Sequence, residues 1–263
     1  MLPTKESMLL ALFVAFTATS APAADNLNPA VIPENRPSDP GQWSFAASPY
    51  FWAAGMSGNV GQFNLPVVKV KSDFSEILSD LDFAFMGTAE ARKDRISIFS
   101  DVIYTKISTA SGTPQGVLAT SVDLKSETFA GLLGLGYTAY QDSASSLDLV
   151  AGVRIWHANT KLSFNGGFLD GVSRTDGATW VDAMAGIRGK FALTSNIYLS
   201  GWGLAGAGQA DLDWDAAAII GYQVSDRVSA VAGYRALGVD YREDNFVFDV
   251  VQQGPILGMV VRF

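Results

Sequence analysis

The stretch Gly254–Phe263 (GPILGMVVRF) places Leu257, Met259, Val261 and Phe263 at every second position. Two is the strand period, so these four side chains share one face of an extended segment, and that face is wholly apolar. The opposite face carries Ile256, Gly258, Val260 and Arg262, less apolar and charged at its end. The rest of the sequence has to say which medium the first face meets.

Composition narrows the choice. The 263 residues hold 18 Lys and Arg against 26 Asp and Glu, one histidine and no cysteine, for a formal net charge of −8. An acidic chain without a basic cluster excludes nucleic acid as a partner. The lack of cysteine excludes disulfides, thiol nucleophiles and thiolate metal sites. Lys5, the apolar run Met8–Phe16 and Ala21-Pro22-Ala23 read as a secretory signal peptide over residues 1–23. Lys5 and Glu6 cancel, so its removal keeps the net charge at −8. Residues 24–42, with Pro29, Pro33, Pro37 and Pro40, read as a flexible periplasmic leader. Mean hydropathy is +0.19, yet past the signal no apolar run reaches the roughly 18 residues of a membrane helix. Hydrophobicity is spread over short alternating stretches rich in glycine and aromatics, the pattern of a transmembrane barrel.

Residues 43–263 therefore read as an all-β, antiparallel, transmembrane up-and-down β-barrel. Tight polar turns at 93–95, 141–145, 193–196 and 225–227 alternate with longer links near 109–116, 164–172, 207–212 and 242–245. They delimit about ten strands, near 43–55, 83–93, 96–108, 118–140, 146–163, 174–191, 197–206, 213–223, 228–242 and 246–263, with bounds of about 8–12. The weak point is 56–82. Phe74, Ile77, Leu78 and Leu81 have helical spacing, which places a short helix near 74–81, and Val67–Lys71 suits an extra short strand. A hairpin there would give twelve strands; ten with a structured first loop is the preferred reading. A soluble lipocalin-type barrel also alternates, but would turn its polar face outward.

The faces follow from the alternation. In Ser146–Ser163 the odd row is Leu147, Leu149, Ala151, Val153 and Ile155, and the even row includes Asp148 and Arg154. Leu257, Met259, Val261 and Phe263 then face lipid, and Phe263 lies at the periplasmic boundary. The same bookkeeping turns Glu90, Asp101, Asp148 and Asp182 into the lumen with Arg92, Arg154, Arg188 and Arg235, where four acids meet four arginines. Pairing is expected, because an unpaired buried charge costs several kcal/mol. They form a structural salt-bridged interior or line a narrow path for small solutes. In strand 118–140, Asp123, Lys125 and Glu127 share a face with Leu133 and Leu135, which calls for a bulge.

From Trp180 onward the chain resembles a family of small proteobacterial outer-membrane β-barrel proteins, mostly uncharacterised. The residues that carry it are Trp180-Val181-Asp182, Gly186-Ile187-Arg188, Trp214 with Gly221-Tyr222, Gly233-Tyr234-Arg235, Val239-Asp240-Tyr241, Gly254-Pro255 and Arg262-Phe263. Ser48–Gly61, Leu81–Arg92, Asp101–Ser108 and Val153–Trp156 extend it over roughly 43–263. The resemblance implies the fold, a Gram-negative cell envelope and a place in the outer membrane. Gly258, Met259, Val261 and Phe263 likewise resemble the signal by which the barrel-assembly machinery recognises its clients.

Reactive constellations are scarce. His157 sits on the outward row near the outer end, with Ile155, Asn159 and Lys161 as its neighbours rather than a nucleophile and an orienting acid. Asp213, Asp215, Asp240, Glu243 and Asp244 fall at the outer rim without forming a site. The three carboxylates of Asp211–Asp215 lack the spacing of a calcium loop and read as solvated. Gly131–Tyr137 lacks the Lys-Ser/Thr of a phosphate loop. The sequence thus predicts a non-enzymatic, porin-like barrel without cofactor, structural or a narrow passage for small solutes. A surface barrel that binds a ligand or host, and a lipid-modifying enzyme, are the alternatives. Lys106, Lys161 and Arg242 could meet lipopolysaccharide phosphates or simply snorkel to water. Outer-membrane lipid and the assembly machinery are the other expected partners.

Overall fold

A computed structural model describes residues 41–113 and 117–263. The expected signal peptide and nearly all of the leader lie outside these residues. The order of elements is β1 (Ser44–Trp52), β2 (Gly55–Gly61), β3 (Val68–Ser72), α1 (Phe74–Ser79), β4 (Leu81–Lys93), β5 (Ile96–Gly112), β6 (Ser121–Gln141) and β7 (Ser145–Asn165), then β8 (Ser173–Ala192), β9 (Ile197–Gly208), β10 (Leu212–Gln223), β11 (Val228–Glu243) and β12 (Phe246–Arg262).

From β4 to β12 each strand pairs antiparallel with the next. Closure comes from β12, which pairs with β1 from Ala46↔Arg262 to Trp52↔Ile256 and with β2 from Gly55↔Gln253 to Gly61↔Val247. β1 and β2 are one stave broken at Ala53-Ala54, where the Ala53 N–H still donates to the Pro255 carbonyl at 2.9 Å. β1 pairs with β4 through six residues, Ser44↔Arg92 to Pro49↔Gly87. The result is a closed antiparallel barrel of ten staves. β3 folds back on β2 along the edge that β12 leaves free, extending the sheet there without adding a stave to the ten. Asp73 and Glu76 form a capping box that starts α1. Phe74 of α1 meets Phe51 edge-on at 5.6 Å between centroids.

An apolar belt girds the outside. Leu133, Leu135, Leu149, Val153, Ile155, Val181, Ile187, Ile220, Leu257 and Met259 all point outward and are exposed. Trp43, Phe45, Tyr137, Tyr140, Phe191, Tyr222 and Phe263 ring its short-turn end, and Phe51, Phe83 and Phe85 stand toward the loop end. The Phe263 N–H is tied to the Phe45 carbonyl at 2.9 Å, while Gly258 pairs across from Tyr50. Gly258 thus has its neighbour on the inner side of the wall, and Met259, Val261 and Phe263 form the outward row.

The bulge expected to separate Glu127 from Leu133 is absent. β6 holds an unbroken register against β5 from Ser121↔Gly112 to Tyr137↔Ile96, and its one irregularity against β7 is at Thr138/Tyr140. Asp123, Lys125 and Glu127 do share the outward face with Leu133 and Leu135. They can do so because β5–β8 run 17–21 residues and rise past the belt. From His157 to Asn165 the extra wall is roughly 20 Å tall, allowing for strand rise and tilt. β9 and β10 have only 12 residues each, so the crown is tall on one side and low on the other.

Candidate functional site: a layered lumen

Inward side chains of successive strands meet in layers. Nearest the short turns, Arg92 and Arg188 each bridge Glu90 and Asp148. Arg92 reaches Glu90 at 2.9 Å and Asp148 at 2.5 Å, and Arg188 reaches them at 2.8 and 3.3 Å. Thr138 donates to Asp148 at 2.8 Å, and the Arg188 guanidinium lies 4.3 Å from the centre of the Phe99 ring. Above this neutral quartet Phe99, Leu132, Val150, Met184 and Leu204 form an apolar layer.

The next layer is ionic again. Arg154 clamps two carboxylates of β10, Asp213 at 2.6 Å and Asp215 at 2.7 Å. Arg235 binds Asp215 through Nε at 3.1 Å and Nη2 at 2.7 Å, and also pairs with Asp101. The hydroxyl of Tyr50 donates to Asp101 at 2.7 Å and accepts from Arg235 at 2.7 Å. The indoles of Trp156 and Trp202 donate to Asp213 and Asp215, each at 2.8 Å. Arg154 and Arg235 are 2% and 1% exposed, and Asp213 and Asp215 are 0% and 1% exposed. Every charge in this layer is satisfied by fixed partners, which buried ions require.

An aromatic layer caps it. Trp180 stacks on Tyr241 at 4.2 Å and on Trp156 at 5.8 Å, with Phe248 tilted against both indoles. Leu237, Val239, Val250 and Phe246 complete this core.

All eight residues expected in the lumen lie on inward rows, and seven join the two ionic layers. Asp182 departs from the expected pairing with arginine. Its Cα partner across the ladder is Arg154, but that side chain spans the lumen to β10. Asp182 instead accepts from the Ala210 N–H at 2.8 Å, and its Oδ2 and the Trp180 Nε1 have no partner among the described residues. Asp213 and Asp215, expected at the rim, are in mid-lumen. The low crown is the reason, because the loop end of β10 stops at the height of Arg154 in the taller β7. The signal was in the sequence: both acids sit on the row opposite the outward Trp214, Ala216, Ala218, Ile220 and Tyr222.

The outer candidates separate as well. Arg242 is held by Asp240 at 2.7 Å and Asp249 at 2.8 Å, and Lys106 by Glu127 at 2.8 Å. Lys161 faces Lys125 directly across the β6–β7 ladder, both outward and exposed. His157 is outward, its Nδ1 2.7 Å from the Thr179 hydroxyl. Among the described residues, no three histidines or acids gather as metal ligands.

No family model matches the chain, and no curated protein matches it. Solved structures do. The outer-membrane protease OmpT of Escherichia coli aligns over 85% of this chain and 97% of its own, with a TM-score of 0.53 at 11% identity. Ail, the attachment invasion locus protein of Yersinia pestis, covers 85% and 99% with a TM-score of 0.36 at 14% identity. Neisserial surface protein A covers 84% and 97% with a TM-score of 0.33 at 15% identity. At such identities the first likeness speaks to fold alone, and the fold is that of an outer-membrane β-barrel.

Proposed function

We propose that the chain is a closed barrel of the Gram-negative outer membrane, non-enzymatic, whose lumen is a structural filling rather than a conduit. The short turns face the periplasm and the tall crown faces outward. The observation that carries this reading is the middle ionic layer: Arg154, Arg235, Asp213 and Asp215 are at most 2% exposed and lie between two apolar layers. A solute would have to break that layer. The test is conductance of the refolded protein in a planar bilayer, with silence expected from a demonstrably folded barrel. Discrete steps whose size changes in Arg154→Ala would restore the narrow-passage reading.

His157 supports the non-enzymatic reading, since its partner is a hydroxyl rather than an orienting carboxylate. Turnover of a lipid or peptide substrate, abolished by His157→Ala, would overturn it. Lys125 opposite Lys161 supports contact with lipopolysaccharide. Like charges directly across a ladder destabilise it, and a phosphate between them would offset the repulsion. A thermal shift on adding lipopolysaccharide, equal in wild type and Lys125→Gln/Lys161→Gln, would count against that contact.

One observation favours a second role, as a surface-binding barrel. The loops after β5 and β7 are joined at the crown by hydrogen bonds from Phe168 and Leu169 to the carbonyls of Val117 and Leu118. Phe168 is 85% exposed there, beside exposed Val117 and Leu118. An apolar cluster at the point farthest from the belt suits contact with another surface. Adhesion of cells carrying the protein, unchanged by Phe168→Ser, would exclude this tip as the contact.

A further inference from the structure

The turn end of the barrel opens into a vestibule of about 640 Å³. Its floor is the neutral quartet together with Trp202, whose indole is tied to Asp215 in the layer beyond. Five cations line it, Arg92, Arg95, Arg188, Lys190 and Arg262, against three carboxylates, Glu90, Asp94 and Asp148. In a chain of net charge −8 this is a local reversal of sign. Arg92 and Arg188 are spent on Glu90 and Asp148, so the excess resides on the wall.

Two wall residues make it specific. Lys190, inward near the end of β8, has no carboxylate within ion-pair distance among the described residues. Its ammonium lies 4.5 Å from the centre of the Tyr198 ring. Arg262, at the end of β12, spends one N–H on the Ser229 hydroxyl at 3.0 Å and has no ion pair among the described residues. Beside them the Nε of Arg188 is buried without an acceptor. Unspent donors on half-buried cations, in a concavity of ligand size, are what anion recognition requires.

The geometry points to the vestibule as a binding site for a small anion bearing a phosphate or carboxylate group, held between Lys190 and Arg262. Tyr198 and Trp202 offer the rest of the ligand an aromatic wall. The site does not depend on the closed-lumen reading, since it lies wholly on one side of the ionic layers.

The test is calorimetric titration of the refolded protein in detergent with inorganic phosphate, pyrophosphate and citrate. Phosphate and pyrophosphate probe one source of the charge, and citrate the other. Saturable binding of at least one probe at a single site is expected, weakened roughly tenfold or more in Lys190→Gln/Arg262→Gln, because each removes a charge-assisted contact. Arg242→Gln at the opposite end should bind as wild type does. Retained heat-modifiable gel mobility shows that the double variant is folded. Failure of all three probes to bind the folded wild type, or undiminished binding by the double variant, overturns the site.

Discussion

Replacing Arg235 by methionine should cost the barrel more than replacing its partner Asp215 by asparagine, and the charge count of the middle layer says why. Three carboxylates, Asp101, Asp213 and Asp215, face two guanidiniums, Arg154 and Arg235. Arg235→Met leaves three acids with one cation and strips Tyr50 and Asp101 of their common partner. Removing one member of a buried pair costs about 3–5 kcal/mol. Asp215→Asn brings two acids against two arginines and keeps an oxygen that can accept from Trp202, so its cost is that of mismatched hydrogen bonds, about 1–3 kcal/mol. The gap, about 2 kcal/mol, is roughly thirtyfold in the unfolding constant. Urea unfolding in lipid vesicles, followed by tryptophan fluorescence and gel mobility, resolves a difference of that size. Equal stability of the two variants, or a less stable Asp215→Asn, would refute the charge-imbalance argument.

Two further outcomes follow from local geometry. A Cβ on Gly254 would stand 2.0 Å from the Ala53 carbonyl oxygen, at the break between β1 and β2, whereas one on Gly203 meets nothing within 4 Å. Gly254→Ala should lose most of its refolding yield while Gly203→Ala refolds like wild type, and equal yields would mean that the break is pliable. In the β6–β7 turn, the Tyr140 hydroxyl and the N–H groups of Ala144 and Ser145 hold the Asp142 carboxyl below the usual carboxylate range. Its contribution is therefore present above the unfolded carboxylate pKa of about 3.9 and lost as pH falls through the lower folded value. Carboxyl-carbon NMR should show Asp142 titrating below free aspartate, and a midpoint at or above the free value would remove the turn's anchor.

The wall was legible in the sequence and the stagger was not. Alternation with turn residues such as Lys93-Asp94-Arg95 and Ser225-Asp226-Arg227 marks strand limits closely, because period and punctuation are local properties. The inward row of β7 was readable for the same reason. Which residues meet across the lumen depends on how far each strand is shifted against the others, and no local pattern records that. Asp213 looked like a rim residue because it begins its strand, yet β10 begins at mid-height. Lys125 and Glu127 looked like a register fault because they share a face with Leu133, when the strand simply continues above the belt. The pairing of Arg154 with β10 rather than with Asp182 is likewise a contact across the lumen.

The six-residue ladder between β1 and β4 also sets where this wall yields. Other staves are zipped by ten to twenty register pairs, as in β9–β10 and β6–β7, while this junction stops at Pro49, which has no N–H to give. Local opening follows the weakest hydrogen-bonded boundary, so amides along this junction should exchange with solvent before any others in the wall. It joins the first stave to the next in sequence, and the last strand of the chain closes on the same stave from its other side. Opening there would part the first stave from β4 while β12 still held it from the other side, so the tube would turn into a curled sheet with β1 and β4 as its two edges.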